Sequence, residues 1–201
     1  MDRGGLRRLV PIVVVIIVAI ISIAALVSLG RAIFSGGGGS TAESPVNTGK
    51  QALTSTLADR SVRMTVRGPI VANENFYSYT ITANSSARNM TTYVGYAGQQ
   101  IDSSQLENTT PAYEQFVYAL DRANLMEGSA SSNDDIRGIC ATGNVYEFEV
   151  LQGENTIRKL WTSTCSGSLG TLKANLGQVS RLFQLQIPSY STLISKIRLS
   201  N

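Results

Sequence analysis

Cys140-Ala141-Thr142-Gly143-Asn144-Val145-Tyr146-Glu147-Phe148-Glu149-Val150-Leu151-Gln152-Gly153-Glu154-Asn155-Thr156-Ile157-Arg158-Lys159-Leu160-Trp161-Thr162-Ser163-Thr164-Cys165 decides the fold. Val145 to Leu151 and Thr156 to Thr164 are rich in β-branched and aromatic residues, and Gly153-Glu154-Asn155 separates them with turn formers. The reading is a β-hairpin. Folding it about Gly153-Glu154 sets Cys140 nearly opposite Cys165, within the Cα spacing that a disulfide tolerates. These are the only cysteines in the chain. A structural bridge closing the base of the hairpin follows as an expectation; a redox-active pair lacks the C-x-x-C spacing, and two free thiols are the remaining alternative.

A second hairpin is expected upstream. Phe76 to Ala83 and Met90 to Tyr96 carry β-prone residues on either side of Asn84-Ser85-Ser86-Ala87-Arg88-Asn89. Before it, Val62, Met64 and Val66 alternate with Arg63, Thr65 and Arg67, the period of a half-buried strand stopped by Gly68-Pro69. Leu53 and Leu57 suggest a short helix ending near Arg60. Thr110-Pro111 opens a helix with Phe116, Val117 and Leu120 on one face and Gly128 as its stop. Two more helices are expected, one through Val179, Leu182, Phe183 and Ile187, the other, after Pro188, through Tyr190, Leu193, Ile194 and Ile197. Strands that come in hairpin pairs, interspersed with helices, predict an α+β class: an antiparallel sheet with helices packed on one face.

Leu9 to Gly30 is of a different kind. Around twenty residues without a charge match the thickness of a hydrocarbon core, and the run is longer than the apolar region of a cleaved signal peptide. Ser28-Leu29-Gly30 nevertheless keeps cleavage as the alternative. Arg3, Arg7 and Arg8 precede it and only Arg31 follows closely, so the bias of positive charge places the N-terminus in the cytoplasm and the rest outside. No Cys stands at its end, against a lipoprotein, and no prepilin-type cleavage pattern follows. The expected organisation is a cytoplasmic stretch 1–8, a transmembrane helix 9–30, a Gly/Ser-rich linker 31–48 and one extracytoplasmic domain 49–201, roughly the commonest size for a single core. The expected localisation is the cell membrane, single-pass, with the lipid bilayer as the partner of 9–30.

Composition removes more hypotheses than it adds. The chain has no histidine, which excludes Ser-His-Asp and Cys-His nucleophile systems, histidine bases and His-rich metal sites. No Ser-x-x-Lys and no Walker-type glycine loop occurs, and zinc has too few ligands. Thr162-Ser163-Thr164-Cys165 is similar to a sortase motif, but sortases also need a histidine. Asn133, Asp134 and Asp135 offer hard oxygens without the ligand spacing of a calcium loop, and a solvated turn explains them. Glu147 and Glu149 share a strand face and form the one acid and base pair to consider; a solvent face of the sheet is the plainer account. No cofactor is expected, and the chain is read as non-enzymatic.

The net charge of +3 is uneven: Ile70 to Glu154 holds eleven acids and three bases, whereas Asn155 to Asn201 holds six bases and no acid. Either a basic face meets anionic lipid or polyanions, or the two halves neutralise one another in the fold; nucleic acid is not expected. Tyr77, Tyr79, Tyr93 and Tyr96 form either a binding face for glycan or protein or part of the sheet's own packing. Asn84, Asn89 and Asn108 begin glycosylation-type triplets, which matter only in a eukaryotic secretory pathway.

With the anchor, the segments Cys140 to Phe148 and Leu160 to Cys165, and Leu182-Phe183-Gln184-Leu185-Gln186-Ile187-Pro188, the chain resembles small single-span exported proteins of Saccharibacteria-type candidate-phylum bacteria. The resemblance implies a bacterial exported protein and carries no catalytic residues. The expected function is a membrane-anchored extracytoplasmic domain that binds an envelope or surface protein or glycan. The alternatives are a carboxylate-dependent glycan-active enzyme and a purely structural subunit of a surface assembly.

Overall fold

Alternation decides the central strand. In β1 (Arg60–Arg67), Val62, Met64 and Val66 are buried on one face while Ser61, Arg63, Thr65 and Arg67 lie on the other. The computed structural model describes residues 48–129, 135–168 and 170–199. The segment 9–30 expected to span the membrane, the cytoplasmic stretch before it and all but the last residue of the linker lie outside the described residues. Among the described residues, no helix is long and apolar enough to cross a membrane.

Five further strands complete an antiparallel sheet. They are β2 (Tyr77–Asn84), β3 (Ala87–Val94), β4 (Gln99–Glu107), β5 (Val145–Gln152) and β6 (Asn155–Ser163), in the order β4-β3-β2-β1-β5-β6. The α+β class expected from the sequence is the observed one. Both expected hairpins form, the first with a tighter turn than the sequence suggested: Asn84 Oδ1 accepts from the backbone N–H of Ser86 (2.8 Å) and of Ala87 (2.7 Å), so the chain reverses at Ser85-Ser86 and Ala87 already begins β3.

Helices cover one face of the sheet. In α1 (Thr48–Leu53), Leu53 is fully buried, but the helix stops there and Leu57 is exposed. The helix expected to run to Arg60 is therefore shorter, because residues 54–59 must turn the chain into β1. Helix α2 (Thr110–Arg122) is capped by Thr109, whose side chain accepts from the Ala112 N–H at 3.3 Å, and it buries Tyr113, Phe116, Val117 and Leu120. Its stop is Asn124 in the left-handed conformation (φ 60°), one turn before the expected Gly128. Gly128 instead bridges to Leu172, so closely that a Cβ would stand 2.3 Å from the Thr171 carbonyl oxygen. Helix α3 (Leu176–Gln184), capped by Asn175, and the short α4 (Tyr190–Ile194) follow.

The core lies between these helices and the inner faces of β1, β2, β3, β5 and β6. Phe183 meets Phe116 edge-on, with centroids 5.2 Å apart at 88°, and also packs on Phe148. Such aromatic pairs contribute about 0.5–1.5 kcal/mol each beyond area burial. Tyr79 reaches across from β2 to hydrogen-bond Tyr190 of α4 at 3.3 Å. The opposite face of the sheet, hereafter the bare face, where Ser61, Arg63, Thr65 and Arg67 lie, is outside this main core.

Candidate functional site

The bare face is closed at one end by the segment before β5. Beyond the β5–β6 ladder, Asn144 and Thr164 still pair, with Thr164 N–H donating to the Asn144 carbonyl and Thr164 Oγ1 accepting from the Asn144 N–H, both at 2.9 Å. The chain then bends through Ala141–Gly143 so that Cys140 doubles back onto Cys165. Their Cα atoms are 5.5 Å apart and the sulfurs are bonded, as the hairpin reading expected. The bend requires glycine at position 143, where a Cβ would fall 2.3 Å from Thr164 Oγ1. Ile136, Cys140, Val145 and Trp161 bury one another in a second, smaller apolar cluster on this side of the sheet. Ser168 Oγ donates to the Ile139 carbonyl (2.9 Å), and the Ile70 N–H donates to the Ala141 carbonyl (2.9 Å), fixing the segment at two more points.

Across the end of β1 stands an aromatic corner. Phe76 and Tyr96 stack with centroids 4.1 Å apart and planes 14° apart. The Tyr96 hydroxyl donates to the Val71 carbonyl at 2.8 Å and accepts from the Val71 N–H at 3.2 Å, while the Tyr96 N–H donates to Asn73 Oδ1. The ring is held in place, yet Tyr96 remains 53% exposed.

Between the stapled segment and this corner is a cleft of about 540 Å³, within the size range of small-ligand sites. Arg67, Ser78 and Val145 line it from the sheet; Ile136, Arg137, Gly138, Ile139 and Cys140 come from the stapled segment. Ile70, Phe76 and Tyr96 line the other side, with Gly68, Gly95 and Gly98. The walls are mainly apolar, and among the described residues the two guanidiniums are the charged groups on them. Arg67 contacts Glu147 Oε1 through Nη2 at 2.5 Å. Arg137 holds Asp135 with Nε (2.8 Å) and Nη2 (2.6 Å). Those bonds, with one from the Arg137 N–H, keep the Asp135 carboxyl at about 2, well below its ordinary value.

The residues singled out by sequence fall in different places. Tyr77, Tyr79, Tyr93 and Tyr96 do not form one face. Tyr79 is buried in the core, and Tyr77, on the same side of β2, packs half-buried against it. Tyr93 lies opposite Ser78 on the bare face, and Tyr96 sits in the turn after β3. The correction follows from the two-residue period: Tyr77 and Tyr79 share a parity, and pairing in register turns Tyr93 to the other side. Of the four, only Tyr96 belongs to the cleft.

Glu147 and Glu149 do share the bare face, but each is paired across the strands. Glu149 accepts from Arg63 Nε at 2.7 Å and from Thr156 Oγ1 at 3.2 Å; Glu147 lies between Arg67 and Lys159, whose Nζ is 3.3 Å from Oε2. Neither carboxylate lines the cleft. Pairs of this kind tie β1 and β6 to β5. Asp134 and Asn133 lie outside the described residues. Among the described residues, no group of three or more His, Cys, Asp or Glu is placed to hold a metal ion. Asn84 and Asn108 serve the β2–β3 turn, Asn108 Nδ2 donating to the Asn84 carbonyl at 2.6 Å.

Sequence reasoning missed Arg67, Arg137, Ile70 and Phe76 as one site. The only signal they gave was the Gly68-Pro69 break, which marked where the strand ended but not what met there. A scan against protein-family models finds no match, and a search of curated proteins finds none either.

Proposed function

We propose that the chain is a membrane-anchored extracytoplasmic binding domain, with 9–30 as the anchor, the N-terminus in the cytoplasm and the cleft as its ligand seat. The observation that carries the binding reading is the cleft itself: a mainly apolar hollow with two guanidiniums on its walls and a fixed, half-exposed tyrosine. Fixed walls favour binding, because little side-chain freedom is lost when a ligand enters. The anchor and orientation are supported by the uncharged run and the arginines before it. The enzyme alternative is disfavoured by the pairing of Glu147 with Arg67 and Lys159, and of Glu149 with Arg63.

The test uses the full chain in mild detergent, immobilised and exposed to solubilised envelope material separated into protein and glycan fractions. One fraction is retained by the wild-type chain and not by Tyr96→Ala. Equal retention by both chains, or by neither, overturns the reading. Orientation is tested separately in membranes by attaching a thiol reporter at the N-terminus and a second at Gly153; labelling of the N-terminal site by an impermeant reagent in intact cells refutes the topology.

A further inference from the structure

The cleft is one-sided in charge. Among the described residues, Arg67 and Arg137 line it, and no Asp or Glu does. Each guanidinium has only part of its donor set engaged: Arg67 forms an ion pair with Glu147 through Nη2, and Arg137 gives Nε and Nη2 to Asp135. Among the described residues, no hydrogen bond engages Nε or Nη1 of Arg67 or Nη1 of Arg137. Both side chains are open to solvent, 41% and 86% exposed. A ligand anion can therefore be held without breaking either internal pair.

The remainder of the seat suits a ring with an apolar edge and polar substituents. Tyr96 offers a flat aromatic surface already fixed by Phe76 beneath it and by Val71 at its hydroxyl. From the cleft the bare face continues along β1 and β2: Arg67 lies opposite Ser78, Thr65 opposite Thr80, and Thr80 in turn opposite Thr91. This is a hydroxyl-rich strip leading out of the hollow that Arg67 and Arg137 line, with Glu147 opposite Thr65 on its β5 side. It is poorly suited to an extended peptide, which docks through main-chain groups, because β1 is already paired on both edges, with β2 and with β5.

We propose that the cleft binds a carboxylate-bearing pyranose of an acidic polysaccharide. The C–H face of the sugar rests on Tyr96, its carboxylate is held by the unengaged N–H groups of Arg67 and Arg137, and the neighbouring sugars run along the threonine strip. This assignment rests on the reading of the chain as a binding domain and names the chemistry of what it binds.

The test is calorimetric titration of the full chain in nanodiscs of phosphatidylcholine, with four probes: trigalacturonic acid, its methyl ester, a neutral galactose trisaccharide and hexaglutamate. Trigalacturonic acid binds, and its affinity falls at least about tenfold in Arg137→Gln, in Arg67→Gln and in Tyr96→Ala, the order of loss for one charged or stacking contact. Tyr96→Phe, which keeps the ring, retains most of the affinity, and Arg181→Gln, on the helical side, is unchanged. The methyl ester and the neutral sugar bind at least about tenfold more weakly. If the ester or neutral sugar binds as well as the acid, or hexaglutamate binds better and with the same dependence on Tyr96, the acidic-sugar assignment is overturned while the cleft remains a binding site. If no probe binds in a Tyr96-dependent way and envelope material is also retained equally by wild type and Tyr96→Ala, both readings fall.

Discussion

Replacing Cys140 and Cys165 together by alanine removes the one covalent constraint on the cleft wall. The bridge spans 25 residues of sequence, and chain-entropy arguments assign a closed loop of that length about 3.5 kcal/mol of stabilisation, acting on the unfolded chain. The native state should change little in comparison. Ile136, Val145 and Trp161 still bury one another, and the bonds from Ser168 to Ile139 and from Ile70 to Ala141 do not involve sulfur. The full unfolded-state effect is therefore expected, equivalent to a fall in Tm of about 7–14 °C for a domain of this size. Trp161 is the only tryptophan and lies 8% exposed beside the bridge, so urea unfolding followed by its fluorescence reports on this region directly. Wild-type protein unfolded in excess reductant should match the double variant. A loss below about 1 kcal/mol, or a reduced wild type that differs from the variant, refutes the reasoning, because it means the loop is already closed by other contacts in the unfolded chain.

Three other outcomes follow from charges and phenols. Glu147→Gln leaves Arg67 and Lys159 without their shared partner; since both cations keep some solvent, the expected cost is about 1–2 kcal/mol in urea unfolding, and a stabilised variant contradicts it. The Asp135 carboxyl should titrate near 2 in the folded chain, its contribution present above the ordinary value of 3.8 and lost as pH falls through the folded one. Carbon-detected NMR should show that midpoint, and Arg137→Gln should return it toward 3.8. Burial, followed by the proximity of Tyr190, raises the Tyr79 phenol above its ordinary 10, and burial likewise raises Tyr113. Folding then favours the protonated phenols, so stability holds below about pH 10 and declines above it as the unfolded chain ionises. Tyr79→Phe should flatten that decline in thermal scans between about pH 9 and 11; an unchanged slope contradicts the assignment.

The fold was more legible than the site. Val62, Met64 and Val66 announce a half-buried strand because the two-residue period is local, and Thr109-Thr110-Pro111 marks a helix start for the same reason. The spacing of Cys140 and Cys165 about Gly153 is likewise a local property, although the ladder ends at Val145 and Ser163 and the cysteines meet only through the bend at Gly143. Strand β4, Gln-Gln-Ile-Asp-Ser-Ser-Gln-Leu-Glu, gave no signal. An edge strand with one side in water has little apolar pattern to display, and its Ile101 is exposed. The cleft was hidden for a different reason. Arg67, Tyr96 and Arg137 are brought together by the pairing of β1 with β2 and with β5, and nothing in a single stretch of sequence encodes those registers. The neutralisation of Glu147 and Glu149 by Arg67, Lys159 and Arg63 was invisible on the same account.

The pairing of β1 with β5 also sets an order of events. Arg67 meets Val145 and Arg60 meets Gln152 across a long stretch of intervening chain, so the central strand cannot gain its second neighbour until most of the domain has been synthesised. The β5–β6 hairpin closes over a much shorter distance and can be oxidised early. The growing chain thus carries β1 with Val62, Met64 and Val66 on an unpaired edge, beside the β2–β3–β4 meander, for the time that the rest takes to emerge. A slow, non-local last step of this kind predicts sluggish refolding.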